Sequence, residues 1–511
     1  MEGLHPVVGG TVSQHRRTLP VPALPAVLVG FMVLLALGIP PAQAEPSRTS
    51  SAWAELASSQ ATKGRPLYVT NSLSDNVAGF TVGADGSPVP NGAPTPTQAQ
   101  GSAPSAIVTA PDGRTVYVVE RNAGVVQPYR VGADGTLSPL SDPVPTGGQT
   151  PFGTAIAPDG RTLYTANLGS GTVSVFAVDA DGTLTLRGDP VPATDNPRGL
   201  AVTPDGRFLY VGHGVPLTDL TNTLDRFAIG TDGTLSGRST VATTGGAGTG
   251  MGTTPDGQYL YVAATTTDQL FGFRVSKDGD LTATPGSPYS VADHPEGVAV
   301  SPDGRHLFLA SPSQVRPDTV HAVSAFTIGT DGSLRAVPGS PFTGGAGPVG
   351  IAVTPDGRFL YVSHFDGDEL YGFAIGSTGA LTRTPGSPVS SGGRAPAFEA
   401  LTIIPDQGPT AVLSTPAKRN RAGQAADLYA SASTDPDGGK IARYDWDFGD
   451  GTVLRDAGLA VQHVYTAPGS YTARVTVTDD EGCSTTRVFT GQTLLCNGSN
   501  AATDTVTVTV N

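Results

Sequence analysis

Gly350-Ile351-Ala352-Val353-Thr354-Pro355-Asp356-Gly357-Arg358-Phe359-Leu360-Tyr361-Val362 reads as two strands around one turn. Pro355 fixes φ where the first apolar run ends, Gly357 accepts a positive φ, and an aromatic and β-branched run follows. Glu369 to Ile375 then alternates as a third strand, with Leu370, Gly372 and Ala374 on one side and Tyr371, Phe373 and Ile375 on the other. Ser377-Thr378-Gly379 turns into a fourth strand that ends near Val389. Four short antiparallel strands in one unit of roughly 50 residues is the plan of a propeller blade.

The unit recurs. Pro-Asp-Gly begins at Pro111, Pro158, Pro204, Pro255, Pro302 and Pro355, and a degenerate copy stands at Pro405-Asp406-Gln407. Asp-Gly turns interleave with it at Asp85, Asp134, Asp181, Asp232, Asp278 and Asp331, with a degenerate Thr378-Gly379. Both series count to seven. The last unit offers a first strand, Phe398 to Ile404, and stops. The first unit begins directly at a second strand, Leu67-Tyr68-Val69-Thr70-Asn71. One blade is therefore expected from both ends of the repeat region, which leaves no exposed edge. The fold class predicted is all-β, a seven-bladed β-propeller over residues 65–406 followed by a small β-sandwich over 408–511.

Composition agrees. The 511 residues include 67 Gly and 44 Pro, and only 14% are charged, which excludes both long helices and a disordered polyelectrolyte. Residues 1–44 are read as a secretory signal peptide, and 45–64 as a linker. His15-Arg16-Arg17 forms a basic region, Ala23 to Ile39 is uncharged, and Ala42-Gln43-Ala44 is a small-x-small cleavage site. A retained anchor is the alternative, though Pro25 interrupts the run and its length falls short of the roughly 20 residues of a span. The formal charge of −14 argues against nucleic-acid or anionic-membrane partners. Cys483 and Cys496 most simply make one local disulfide in an oxidising compartment, with two free thiols as the alternative.

The unit AVTPDGRFLYV, at Ala201 to Val211 and again at Ala352 to Val362, resembles the repeats of seven-bladed lactonase-type propellers. Leu67 to Asn71 resembles the related YVTN-type surface repeats. Beyond Gln407 the period stops. Tyr444-Asp445-Trp446-Asp447-Phe448-Gly449-Asp450-Gly451, His463-Val464-Tyr465 and Gly469-Ser470-Tyr471 before an alternating strand resemble a PKD domain, an immunoglobulin-like sandwich. That resemblance implies a spacer or adhesion module. Trp446 and Phe448 are expected in its core. Asp435-Pro436-Asp437-Gly438 could ligate Ca²⁺ through oxygen, or be a plain solvent turn; no other cofactor is expected.

Propellers work at one mouth of the central channel, where the loop entering each inner strand meets the loop after each second strand. That selects Asn71, Glu120, Arg121, Asn167, His213, His294, Glu296, His364, Glu399 and Arg198. Arg would hold a carboxylate or phosphate, and His or Glu would direct water. Lactonase-type propellers carry G-P-R-H and then N-E in one blade. Here the matching blade reads Asn196-Pro197-Arg198-Gly199 and then Gly212-His213, so only Arg198 corresponds. No G-x-S-x-G elbow, H-E-x-x-H or P-loop is present. Two functions are expected from these features. One is a secreted, monomeric propeller presenting a rim to an extracellular protein, polysaccharide or small-molecule ligand. The other is an extracellular lactonase-type hydrolase using Arg198 with His213 or Glu296.

Overall fold

A computed structural model describes residues 64–98, 101–214, 222–312, 322–417 and 419–511. The leader expected at 1–44 lies outside the described residues, as does the linker apart from Gly64. Described structure is almost entirely β, with two single-turn 3₁₀ segments.

Six blades, II to VII, run consecutively from inner to outer strand. Their inner strands are Pro104–Thr109, Pro151–Ile156, Pro197–Val202, Gly248–Thr253, Val298–Val300 and Pro348–Val353. Blade I is composite: the inner strand Pro396–Ile403 pairs antiparallel with Arg65–Asn71, in the register Leu67↔Ile403 and Val69↔Leu401. Both termini of the repeat region thus meet in one blade. Inner strands are built from small residues, as in Gly248-Thr249-Gly250-Met251-Gly252-Thr253, because seven of them crowd one axis.

A belt of hydroxyls locks neighbouring blades. In six blades a Tyr of the second strand donates to the carbonyl of the Asp-Gly turn in the next blade. Tyr68 reaches Gly135 at 2.8 Å, Tyr117 reaches Gly182 at 3.0 Å, and Tyr164 reaches Gly233 at 2.9 Å. Tyr210, Tyr261 and Tyr361 bond to Gly279, Gly332 and Gly86 at 2.7, 2.9 and 2.7 Å. The last of these crosses from blade VII to blade I. Blade VI carries Phe308 at the corresponding position. All six tyrosines are fully buried, and burial raises their phenol pKa values. The turns they reach are rigid: Asp134 Oδ1, for example, accepts from both the amide and the hydroxyl of Thr136.

The C-terminal sandwich has one sheet ordered Arg419–Asn420, Thr503–Val510, Gly469–Asp479, Ile441–Asp447 and Val453–Leu454, and a second of Ala425–Tyr429 with Ala460–Val464. Trp446 and Phe448 are buried in its core with Tyr465, Val475 and Val508. Cys483 and Cys496 are joined in a disulfide. The stretch between them does more than return the chain. Val488–Phe489 and Leu494–Asn497 pair with each other, and the latter pairs with Asp406–Gln407 at the exit of the propeller.

Tyr117→Phe should lower the unfolding free energy by about 1–3 kcal/mol, since it strips a buried carbonyl of its donor. Urea unfolding of the variant against the parent measures this; an unchanged midpoint would mean that the belt carries no stability.

Candidate functional site

The leading residues of the inner strands stand at equivalent places: Pro104, Pro151, Pro197, Gly248, Pro295, Pro348 and Pro396. The following residue in blades II to VII forms a ring of Ser105, Phe152, Arg198, Thr249, Glu296 and Val349 at one mouth of the channel. In the composite blade, which is longer here, Glu399 holds that register, two residues before Leu401 as Val349 is before Ile351. Register slips by a residue just behind it in most blades, between Pro151 and Thr154 and between Pro197 and Gly199 for instance. Such bulges re-aim the leading side chains. Glycine follows the ring position at Gly153, Gly199, Gly250 and Gly297. A Cβ on Gly199 would collide with the Thr249 carbonyl, and one on Gly250 with the Glu296 carbonyl, so each inner strand lies against the next only without a side chain there.

Arg198, Glu296 and Glu399 line one pocket in this mouth, with Phe152, Thr249 and Phe398 among their neighbours. The Arg198 guanidinium lies over both the Phe152 and Phe398 rings, 4.5 and 5.1 Å from their centroids, an attraction between cation and aromatic face. Phe365 extends the aromatic strip, 5.9 Å from Phe398. One guanidinium nitrogen is 4.0 Å from Glu296 Oε1, while Arg198 Nε and Glu296 Oε2 have no hydrogen-bond partner. Glu399 accepts from the Thr154 amide at 3.1 Å and from Gln492 Nε2 at 3.3 Å.

Burial pushes the Glu399 carboxyl up to about 8, against the pull of the Thr154 amide and Arg198. Burial also raises Glu296, which Arg198 and His294 oppose. Two enclosed carboxyls share one guanidinium, so at neutral pH the second proton stays in the site. The water-accessible cavity is about 70 Å³, several times the roughly 10–15 Å³ that one water requires.

The other candidates lie elsewhere. His213 is buried with Nε2 3.4 Å from Asp225 Oδ2, and Asp225 also accepts from Thr194 and Thr240 inside blade IV. Asn71 donates to Asn76 and to the Ser391 carbonyl, and Asn167 to Thr172 and Ser174. The His364 ring accepts from the Gly345 amide and packs on Tyr371. Glu120 is fully buried and pushed up to about 7 by that burial. Arg121 and His294 sit on half-buried turns, the latter with φ +62°. Residues reading from sequence did not select are Phe152, Phe398 and Gln492.

Among the described residues, two sets could approach a cation, and both are at the junction of propeller and sandwich: Asp406, Asp437 and Glu481, and Asp406, Asp479 and Cys483. The Cys483 sulfur is committed to the disulfide. The first set surrounds Arg65, which bonds to Asp406 at 3.1 Å, to Asp437 at 3.3 Å and to Glu481. Asp437 of the Asp435-Pro436-Asp437-Gly438 turn thus takes a protein cation, from the first strand of the propeller.

A family model described as Lactonase, 7-bladed beta-propeller matches residues 58–197, 186–290 and 282–390, well over half of the chain. The chain belongs to this family. A PKD domain model matches residues 406–493. The periplasmic gluconolactonase of Pseudomonas aeruginosa is similar in structure, with a TM-score of 0.53 and 23% identity over 66% of this chain and 99% of that one. A protein named a putative 6-phosphogluconolactonase, from Bacteroides fragilis, gives a TM-score of 0.57 at 22% identity, covering 68% and 99%. Among curated proteins, a microbial collagenase of Vibrio alginolyticus is 34% identical over 89 residues, and the match spans 10% of the collagenase. No helix among the described residues is long and apolar enough to cross a membrane. In this lactonase-family chain Gly199 stands where the family pattern has His, and the Thr249 carbonyl occupies the place of its Cβ.

Glu399 binds its proton more tightly folded than unfolded, where its pKa is near the ordinary 4.5. Its contribution to stability is therefore full below about pH 4.5 and is lost as pH rises towards 8. Glu399→Gln should flatten the decline in urea midpoint between pH 5 and 8; an unaltered profile would show that the carboxyl titrates normally.

Proposed function

We propose that this lactonase-family propeller is an exported hydrolase of small, unphosphorylated lactones of polyhydroxy acids. The observation that carries the reading is the convergence of Arg198, Glu296 and Glu399 in one enclosed pocket at the channel mouth. Its lining holds one guanidinium and two carboxyls, which suits a neutral ring with one polarised carbonyl and disfavours a phosphate dianion. The similarity to a periplasmic gluconolactonase supports the same substrate class.

Glu296, the carboxyl 4.0 Å from the Arg198 guanidinium, acts in its ionised form: it takes a proton from water as the water oxygen attacks the lactone carbonyl carbon. Arg198 faces the carbonyl oxygen as it gains negative charge, with its plane fixed by two aromatic rings. Glu399, protonated at neutral pH, gives its proton to the ring oxygen as the C–O bond breaks. One water is consumed and an open hydroxy acid leaves. The proton on Glu296 then returns the pair to its starting state.

Export is part of the proposal. The leader-like residues 1–44 and the Cys483–Cys496 disulfide fit an oxidising destination. The mature chain should begin at Glu45, which N-terminal sequencing of secreted protein reads directly.

A second role belongs to the sandwich. Val412, Tyr429, Val453, Leu454, Leu459 and Val464 are exposed there and make up most of the large exposed apolar residues described. They favour adhesion to an extracellular protein or polysaccharide alongside catalysis.

Initial rates on a panel of aldonolactones, corrected for hydrolysis in buffer, test the reading. Wild type should accelerate opening, and the rate should fall as pH rises through about 8, where Glu399 loses its proton. Arg198→Ala and Glu296→Gln should each cost about 10²–10³ in kcat. A panel without turnover would contradict the proposal.

A further inference from the structure

The channel mouth belongs to the propeller, but the opposite side of the pocket does not. Thr490, Gln492, Thr493 and Leu495, all from the sandwich, line it there. Their loop crosses the trailing ends of three inner strands. The last amides of blades III, IV and V, those of Ile156, Val202 and Thr253, donate to the carbonyls of Gln492, Gly491 and Thr490 at 3.4, 2.7 and 2.9 Å. Flanking the loop, Phe489 and Leu494 are buried against Ala155, Leu200 and Val202 of blades III and IV. Gly491, at φ +111°, lets the loop lie on the strand ends, where a Cβ would meet Thr253 N and the Ala201 side chain. Cys483 and Cys496 clamp the base of this excursion, and both are buried. From its tip the Gln492 amide donates to Glu399 Oε1 at 3.3 Å.

We propose that this loop is a working part of the site: Gln492 is a positioning residue that orients the Glu399 carboxyl, and the Cys483–Cys496 bond holds it across the channel. The sandwich then completes the pocket of the propeller and is not a spacer to it. The role assigned to Gln492 rests on the hydrolase reading above, whereas the docking of the loop stands on its own contacts. A carboxyl at the centre of a ring of blades has few partners available from its own strand. The second hydrogen bond to Glu399 comes from a residue more than ninety positions away in sequence, brought in only because the sandwich folds back. Removing the Gln492 amide removes a donor to the ionised form of Glu399, so the proton should be held more tightly. Removing the disulfide should free the loop from the strand ends without substituting any residue of the propeller; Asp406, at the propeller's exit, is the propeller residue that Cys483 contacts.

Two variants of the full chain decide this. In C483S/C496S, the amides of Ile156, Val202 and Thr253 should exchange with deuterium about tenfold faster or more, while that of Val69 in blade I keeps its protection. Unchanged protection at the three strand ends would overturn the docking. Gln492→Leu keeps the disulfide and carries the test should the double variant loosen the chain throughout. In it, the Glu399 carboxyl, followed by ¹³C NMR and assigned with Glu399→Gln, should titrate at higher pH than in wild type, and kcat on the best lactone should fall about tenfold with little change in KM. A wild-type titration point in Gln492→Leu would overturn the positioning role. If wild type opens no lactone, the hydrolase reading fails, and hydrogen exchange and the carboxyl titration still judge the loop.

Discussion

A buried tyrosine hydroxyl that must find an acceptor in the next blade is the constraint on which the ring depends. Leaving such a group unpaired in the core costs on the order of 1–3 kcal/mol, so each blade is held at the distance where its Tyr meets the neighbouring Asp-Gly carbonyl. Six such bonds span the ring, and Tyr361 to Gly86 ties the last full blade to the composite one. With the outer hairpins fixed in this way, the inner strands have little room left. Close-set glycines are the result, and the residue just before each of them carries its side chain into the mouth of the channel.

That geometry explains the chemistry of the mouth. Gly199 and Gly250 are needed where adjacent strands touch, so the side chains of the proposed site fall one position earlier, at Phe152, Arg198 and Glu296, with Glu399 in the same register on the composite blade. A guanidinium between two aromatic rings and two carboxyls too enclosed to ionise together form a site with its proton already in place. The family to which the chain belongs normally places His after the Arg. The Thr249 carbonyl leaves no room for it here, and the Glu296 carboxyl, two blades on, stands 4.0 Å from the Arg instead.

Much of this was legible in the sequence. The two interleaved turn series count the blades, and the missing first strand at Leu67 together with the spare one at Phe398 predicts the closure between Leu67 and Ile403. Trp446, near the end of its strand, and Phe448, two residues on and just past that end, announce the core of the sandwich. Arg198 and Glu296 are visible because each follows a leading proline. Residues that end second strands behave differently. Asn71, Glu120, Asn167, His213 and His364 each pair with the leading residue of their blade. The alternation of the strand then turns Asn167 and His213 towards the third strand of the same sheet, where Ser174 and Asp225 receive them. Gln492 could not be found by any local rule. Its neighbours look like an insertion between two cysteines, and only the return of the sandwich to the trailing ends of the inner strands gives it a function.

The propeller supplies the mouth and the sandwich the floor, and the two meet at Glu399. A crystal structure of the full chain soaked with an aldonate, the product of lactone opening, tests that claim most directly. The account predicts the carboxylate of the aldonate on the Arg198 guanidinium, between Phe152 and Phe398, with the loop 490–495 ordered beneath it and Gln492 bonded to Glu399. An aldonate bound away from Arg198, or a channel open at its trailing end with that loop displaced, would contradict it.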